Sequence, residues 1–134
     1  MGNEKDQVWI PLRKAIQSRE WHYVRLENRT GNGTPDVNLH VPGHGDYWLE
    51  LKYLWELPNG FAPVKIGLRR SQYLWLRAGS TAGRSIGVVA LVEGVWHLWT
   101  DPRAWAFLYQ GAEWSTLATM ARGFTDPQTL LDHL

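Results

Sequence analysis

Thr34-Pro35-Asp36-Val37-Asn38-Leu39-His40-Val41 and, after a short interval, Tyr47-Trp48-Leu49-Glu50-Leu51-Lys52-Tyr53 alternate between polar and apolar side chains. Successive side chains of a strand point to opposite faces. Val37, Leu39 and Val41 therefore share one face, and Asp36, Asn38 and His40 the other. In the second segment Leu49, Leu51 and Tyr53 share a face and leave Glu50 and Lys52 together on the opposite one. Between them, Pro42-Gly43-His44-Gly45-Asp46 is a run of turn formers that reads as a hairpin loop. Closing the hairpin brings Asp36 towards Glu50 and Lys52.

Two acids and a lysine on one patch have a specific chemical use. Carboxylates are hard oxygen donors suited to Mg²⁺ or Mn²⁺, and Mg²⁺ keeps several waters where few protein groups hold it. Asp36 and Glu50 are the candidate ligands, with the backbone carbonyl of Leu51 as a further oxygen. A bound divalent ion lowers the pKa of a coordinated water and offsets charge on a scissile phosphate. Lys52, a compact point charge, is placed to orient the attacking water or to stabilise the transition state. The competing reading is an exposed cross-strand ion pair of Lys52 with Asp36 or Glu50, contributing under ~1 kcal/mol.

Pro35-Asp36 followed by Glu50-Leu51-Lys52 resembles the signature of the PD-(D/E)xK nuclease superfamily. The fuller stretch, Gly33 to Val37 with Tyr47 to Lys52, is similar to the VRR-NUC branch and to small phage-encoded nucleases. That branch carries a glutamine on the helix after the E-x-K strand, matched by Gln72 in Arg70-Ser71-Gln72-Tyr73-Leu74-Trp75. It often has a glutamate with a nearby glutamine on the first helix, matched by Glu4 and Gln7, although Glu27 rivals Glu4 for that acidic role. The resemblance spans residues 4–99 in order and spacing, with its specificity in the central motif. It implies Mg²⁺-dependent hydrolysis of DNA phosphodiesters, with Asp36, Glu50, Lys52 and Gln72 catalytic. Asp36, Glu50, the Leu51 carbonyl and Glu4 are the implied metal site. Stand-alone members imply junction- or structure-selective cutting by a homodimer.

Outward from the hairpin, residues 4–19 read as a helix with Asn3 as N-cap and Val8, Leu12 and Ile16 along one face, kinked or restarted at Pro11. Residues 21–28 read as a strand and 29–33 as a polar loop. Residues 56–66, with two prolines and a glycine, form a loop bordering the candidate site. Residues 68–78 read as a helix stopped by Gly79. Residues 85–92 and 95–100 are apolar strands joined at Glu93-Gly94, the first covered on both faces. Asp101-Pro102 and Asp126-Pro127 each pair an N-cap with a proline at the first helical position, so the tail reads as two or three short helices. The expected fold is a mixed α/β domain, a central mixed β-sheet flanked by helices. The αβββαβ order is also that of the restriction-endonuclease-like core the resemblance implies. A single domain covers residues 1–134, its core about 4–100 and its helical extension about 101–134.

On the helix over 68–78, Gln72 shares the sheet-facing side with Leu68 and Trp75. Its amide either reaches the catalytic water, the phosphate or Lys52, or is satisfied by backbone at the sheet edge. Arg69, Tyr73 and Arg77 follow at four-residue spacing on the outward face, with Arg70 adjacent. Together with Arg25, Arg29, Lys65 and Arg84 they form a candidate phosphate-contacting surface, which gives affinity without base readout. His40, His44 and Asp46 compose a rival zinc site, weakened by the glycine-rich turn that holds His44 and by the absence of cysteine. Nine tryptophans are many for 134 residues; Trp96, Trp99, Trp105 and Trp114 exceed what a small core easily hides and favour self-association.

A formal net charge of +1 means that DNA affinity must come from local clustering of basic residues. No cysteine leaves no disulfide or thiolate site, and no apolar run reaches the ~18 residues of a membrane span. The expected location is cytoplasmic, in a bacterial host if the chain is phage-encoded. No phosphate-cradling glycine-lysine loop is present. Two function classes remain, a metal-dependent endonuclease on branched or duplex DNA and a non-catalytic nucleic-acid-binding or assembly module on the same scaffold, with an RNA-directed nuclease as a more distant third.

Overall fold

The structure is a computed structural model describing residues 3–26 and 32–134. Asn3 caps the first helix, its Oδ1 accepting from the Asp6 N–H at 2.9 Å. The helix opens as a π-helical turn, Lys5–Trp9, and continues as α1, Ile10–Ser18. The change of pitch falls beside Pro11, whose ring crowds the carbonyl four residues back and offers no N–H. The irregularity is absorbed as a wide turn.

Six strands form one sheet in the order of the chain: β1 Tyr23–Arg25, β2 Val37–Val41, β3 Gly45–Leu54, β4 Ser85–Val92, β5 Val95–Trp99 and β6 Arg122–Phe124. β3 and β4 run parallel and every other neighbouring pair antiparallel, so the sheet is mixed, as expected. The parallel step requires a crossover, supplied by helix α2, Arg70–Thr81. The β2–β3 hairpin pairs Val37 with Leu49 and His40 with Asp46. Its turn is tighter than the five-residue loop expected: β3 resumes at Gly45, and the His44 N–H donates to the Val41 carbonyl at 2.9 Å.

Two apolar layers sandwich the sheet. On one face Leu39, Leu49, Leu51, Val89 and Leu98 pack against Val8, Leu12 and Ile16 of the first helix, and against Leu130 and Leu131 of helix α5, Pro127–Leu131. On the other, Ile86, Val88 and Ala90 meet Leu76 of α2, Trp105 and Leu108 of α3 (Pro102–Gln110), and Leu117 of α4 (Trp114–Thr119). β4 is thus buried on both faces, which is why its sequence is continuously apolar. Asp101 and Asp126 cap α3 and α5 as the Asp-Pro pairs announce, accepting from Arg103 N–H and Thr129 N–H at 2.9 and 2.8 Å.

Three expectations are corrected. Helix α2 does not stop at Gly79 but ends two residues later at Thr81. Arg84 N–H donates to the Gly79 carbonyl and Gly83 N–H to the Ser80 carbonyl, with Gly83 at φ +85°, so Gly83 makes the left-handed stop. Gly79 serves packing instead, since a Cβ there would sit 2.7 Å from Ile86 Cδ1. The tail is not purely helical, because β6 pairs with β5 at the sheet edge. The tryptophan surplus is not left outside: Trp96, Trp99 and Trp105 are buried and Trp114 half-buried. The indole N–H groups of Trp99 and Trp105 donate to the carbonyls of Leu117 and Trp99 at 2.8 and 3.0 Å. Among the described residues, no helix is long and apolar enough to cross a membrane.

Candidate active site

β2 begins at Val37, and Pro35 has no N–H with which to extend it. At that point the Asp36 side chain takes over from the backbone ladder: its Oδ2 accepts from the Leu51 N–H at 2.8 Å. Continuing the hairpin register sets Asp36 opposite Glu50. Glu50 and Lys52 both lie on the α2 side of β3, alongside Val88 and Ala90 of β4, and are only 1% and 9% exposed. The exposed ion pair is thereby excluded for these two residues. Asp36, 20% exposed at its side chain, opens the patch to solvent.

Lys52 Nζ donates to the Gln72 Oε1 and to the Gly67 carbonyl, each at 3.0 Å. Gly67, one residue past the loop expected over 56–66, thereby borders the patch. Gln72 stands third in α2, and its Oε1 also accepts from the Arg69 N–H at 2.9 Å, closing the helix's first turn. Its Nε2 lies 3.4 Å from both Glu50 oxygens. Of the contacts considered for Gln72, the one to Lys52 is present, and its backbone partner is the Arg69 N–H at the helix start, not a group at the sheet edge: one amide spans Lys52 and Glu50 while capping the helix that carries it.

Glu4, immediately before the π-helical turn, reaches the patch. Arg25 lies between the acids, 3.9 Å from Glu4 Oε1 and 3.8 Å from Asp36 Oδ1, with its guanidinium over the Trp9 ring. Burial first, and then the Asp36 charge, hold the Glu4 carboxyl above its ordinary pKa. Glu50 is pushed up to about 9, chiefly by burial and then by the Asp36 charge, against the opposing pull of Lys52. Three acids face the two cations Arg25 and Lys52, so a proton on Glu50 neutralises the cluster. A divalent cation would replace that proton, and two carboxylates facing one another across the hairpin fit one. Among the described residues no three His, Asp or Glu side chains are grouped to hold an ion by themselves. Asp36 and Glu50 would leave Mg²⁺ most of its water.

Gly33 is a positioning residue that the motif hides. At φ +83° its backbone passes so close to α2 that a Cβ would fall 2.1 Å from the Ser71 carbonyl oxygen. The approach to Asp36 and the start of α2 are thereby locked together. The turn-rich composition of residues 31–33 signals only a bend.

Elsewhere the expectations divide. Arg69, Arg70, Arg77 and Lys65 are exposed, as a phosphate surface requires. Tyr73 is half-buried and stacks on Tyr109 of α3, ring centroids 4.9 Å apart, so it belongs to helix packing rather than to an open surface. Arg25 is turned into the acid patch, and Arg84 covers the rings of Trp48 and Trp75 at 5.4 Å from each. Arg29 and Glu27 lie outside the described residues. The zinc alternative is not assembled: His40 faces Asp46 at 3.8 Å, while His44 turns away to Ser85 at 3.2 Å.

No family model matches the chain, and no curated protein matches it. Among solved structures it is similar to Hjc of Archaeoglobus fulgidus, a Holliday junction resolvase from an archaeal hyperthermophile. Identity is 16% over 87% of this chain and 95% of that one, with a TM-score of 0.45. A likeness at that level leaves function to rest on the side chains themselves.

Proposed function

We propose that the protein is a Mg²⁺- or Mn²⁺-dependent endonuclease that hydrolyses DNA phosphodiester bonds. One observation carries this reading: Asp36, Glu50, Lys52 and Gln72, from the head of β2, from β3 and from α2, meet in one hydrogen-bonded cluster. A buried lysine 3.0 Å from a glutamine that also faces a buried glutamate is more than a surface ion pair requires. Asp36, Glu50 and the Leu51 carbonyl would hold the ion, with Glu4 assisting through water. When bound, the ion supplies an activated water and offsets charge on the phosphate. Lys52, oriented by Gln72 and the Gly67 carbonyl, carries the positive charge that meets the developing negative charge. The exposed Arg69, Arg70, Arg77 and Lys65 supply backbone contacts without base readout, which favours structure-selective over sequence-selective cutting.

The finer reading places the chain with the PD-(D/E)xK nucleases, nearest in motif to the VRR-NUC branch and small phage-encoded nucleases, acting in a cytoplasm. Resolving a four-way junction takes two cuts, hence two centres and a homodimer. The test is incubation with four-way junction, flap, duplex and single-stranded DNA in Mg²⁺, Mn²⁺ or EDTA. Cutting that needs the ion and disappears in Asp36→Asn and Lys52→Ala supports the proposal. Binding without cutting in every ion would leave the non-catalytic module in its place.

A further inference from the structure

A separate cleft of about 370 Å³ opens at the end of the sheet that carries the β2–β3 turn. From Val41, beside that turn, to Asp36 the chain runs about 17 Å at the rise of a strand, so the cleft is distinct from the acid–lysine patch. His44, Arg84, Ser85, Thr100, Arg122 and His133 line it on a partly apolar wall that Leu134 completes, and no Asp or Glu side chain lines it. Arg84 and Arg122 are both exposed, and among the described residues neither has a carboxylate within ion-pair distance. The Arg84 guanidinium is steadied over Trp48 and Trp75. His44 Nε2 is held to the Ser85 hydroxyl at 3.2 Å, and His133 Nδ1 to the Thr129 carbonyl at 2.9 Å. Two guanidinium groups and the Thr100 hydroxyl thus line a concave space whose two positive charges no Asp or Glu side chain offsets. Paired guanidinium groups with no Asp or Glu side chain among them suit a tetrahedral oxyanion, and arginine favours phosphate in particular.

We infer that this cleft binds a phosphate group, either of a nucleic-acid strand or of a free nucleotide. The inference is independent of the chemistry at the acid–lysine patch, since none of its residues belongs to that patch.

The test is amide chemical-shift titration of the full chain in EDTA with three probes: inorganic phosphate, thymidine 5′-monophosphate and a single-stranded oligonucleotide. Saturable shifts at Arg84, Ser85, Thr100 and Arg122, with Leu51 and Gln72 unmoved by inorganic phosphate, are expected. Arg122→Gln should weaken phosphate binding about tenfold or more, and Thr100→Val should weaken it without changing charge. Tighter binding of the oligonucleotide than of the mononucleotide supports the site with a strand as its source; the opposite order supports it with a free nucleotide. The inference is overturned if no probe shifts these amides saturably, or if folded Arg122→Gln and Thr100→Val both keep wild-type affinity.

Discussion

The Leu51 N–H donates to Asp36 Oδ2 at 2.8 Å, so the strand carrying Glu50 and Lys52 is tied to the start of β2 by the acid itself. One Asp36 oxygen is occupied by structure and the other faces Arg25. Asparagine keeps an acceptor oxygen for that amide but gives up the charge. Asp36→Asn should therefore melt near the wild type and lose cleavage by on the order of 10²-fold or more. Asp36→Ala should in addition lose about 1 kcal/mol, the worth of a hydrogen bond. Thermal melts beside a junction-cleavage assay in Mg²⁺ separate the two; equal activity of all three proteins would remove Asp36 from the site.

Glu50 gives a pH signature. Its carboxyl, pushed up to about 9 from an ordinary 4.5, holds a proton in the folded, metal-free protein that the unfolded chain has already released. The stability this proton contributes is complete below the unfolded value and is lost as pH rises from 4.5 to about 9. Metal-free wild type should lose melting temperature across that window, and Glu50→Gln, neutral throughout, should lose less. At pH 8 the variant should melt higher by roughly 3 °C while being inactive. Parallel pH profiles of the two in EDTA would contradict the shift. Divalent-ion affinity should rise over the same window, because the ion displaces the proton.

Gln72 joins catalysis to folding, so its removal has two effects. Gln72→Ala leaves Lys52 short of an acceptor and the Arg69 N–H uncapped, at a cost of about 1–3 kcal/mol. Turnover should also fall roughly 10–100-fold at temperatures where the variant is fully folded. Full turnover there would confine Gln72 to the helix cap.

Gly33→Ala places a methyl where the Ser71 carbonyl stands, at a left-handed φ that alanine disfavours. The head of β2 must then part from α2. Expected are a large drop in melting temperature and loss of cleavage, with Gly43→Ala, which has open space around it, as control. A Gly33→Ala protein no worse than that control would refute the close approach.

The exposed arginines act differently. Substituting Arg69, Arg70 or Lys65 by glutamine should weaken DNA binding alike for all sequences, and each cation that no longer meets a phosphate should lower the salt dependence by about one. Tyr73→Leu, by contrast, should affect the α2–α3 packing and leave the salt slope unchanged. Fluorescence anisotropy at several salt concentrations reads both.

The hairpin was legible because its two segments alternate strictly, and the period of two puts Asp36, Glu50 and Lys52 on one face without knowledge of the rest. β4 was legible because only a strand buried on both sides stays apolar for so long. β6 was not: Arg122-Gly123-Phe124 is too short for an alternation to register, and it pairs along an edge. Gly79 and Gly83 are equally plausible helix stops in one dimension; only the space against Ile86 separates a packing glycine from a terminating one. Gly33 and Arg25 escaped for the same reason. Their roles are set by Ser71 and by Glu4, residues distant in the chain, and neither side of such a contact marks the other.

Because a single amide both closes the first turn of α2 and bridges Lys52 to Glu50, the crossover cannot be half made. A nascent chain whose second helix has yet to dock holds its lysine and its glutamate without their common partner. On the proposed function, the site would be complete only once α2 has docked on the sheet, so that folding of the crossover and assembly of the site are one event.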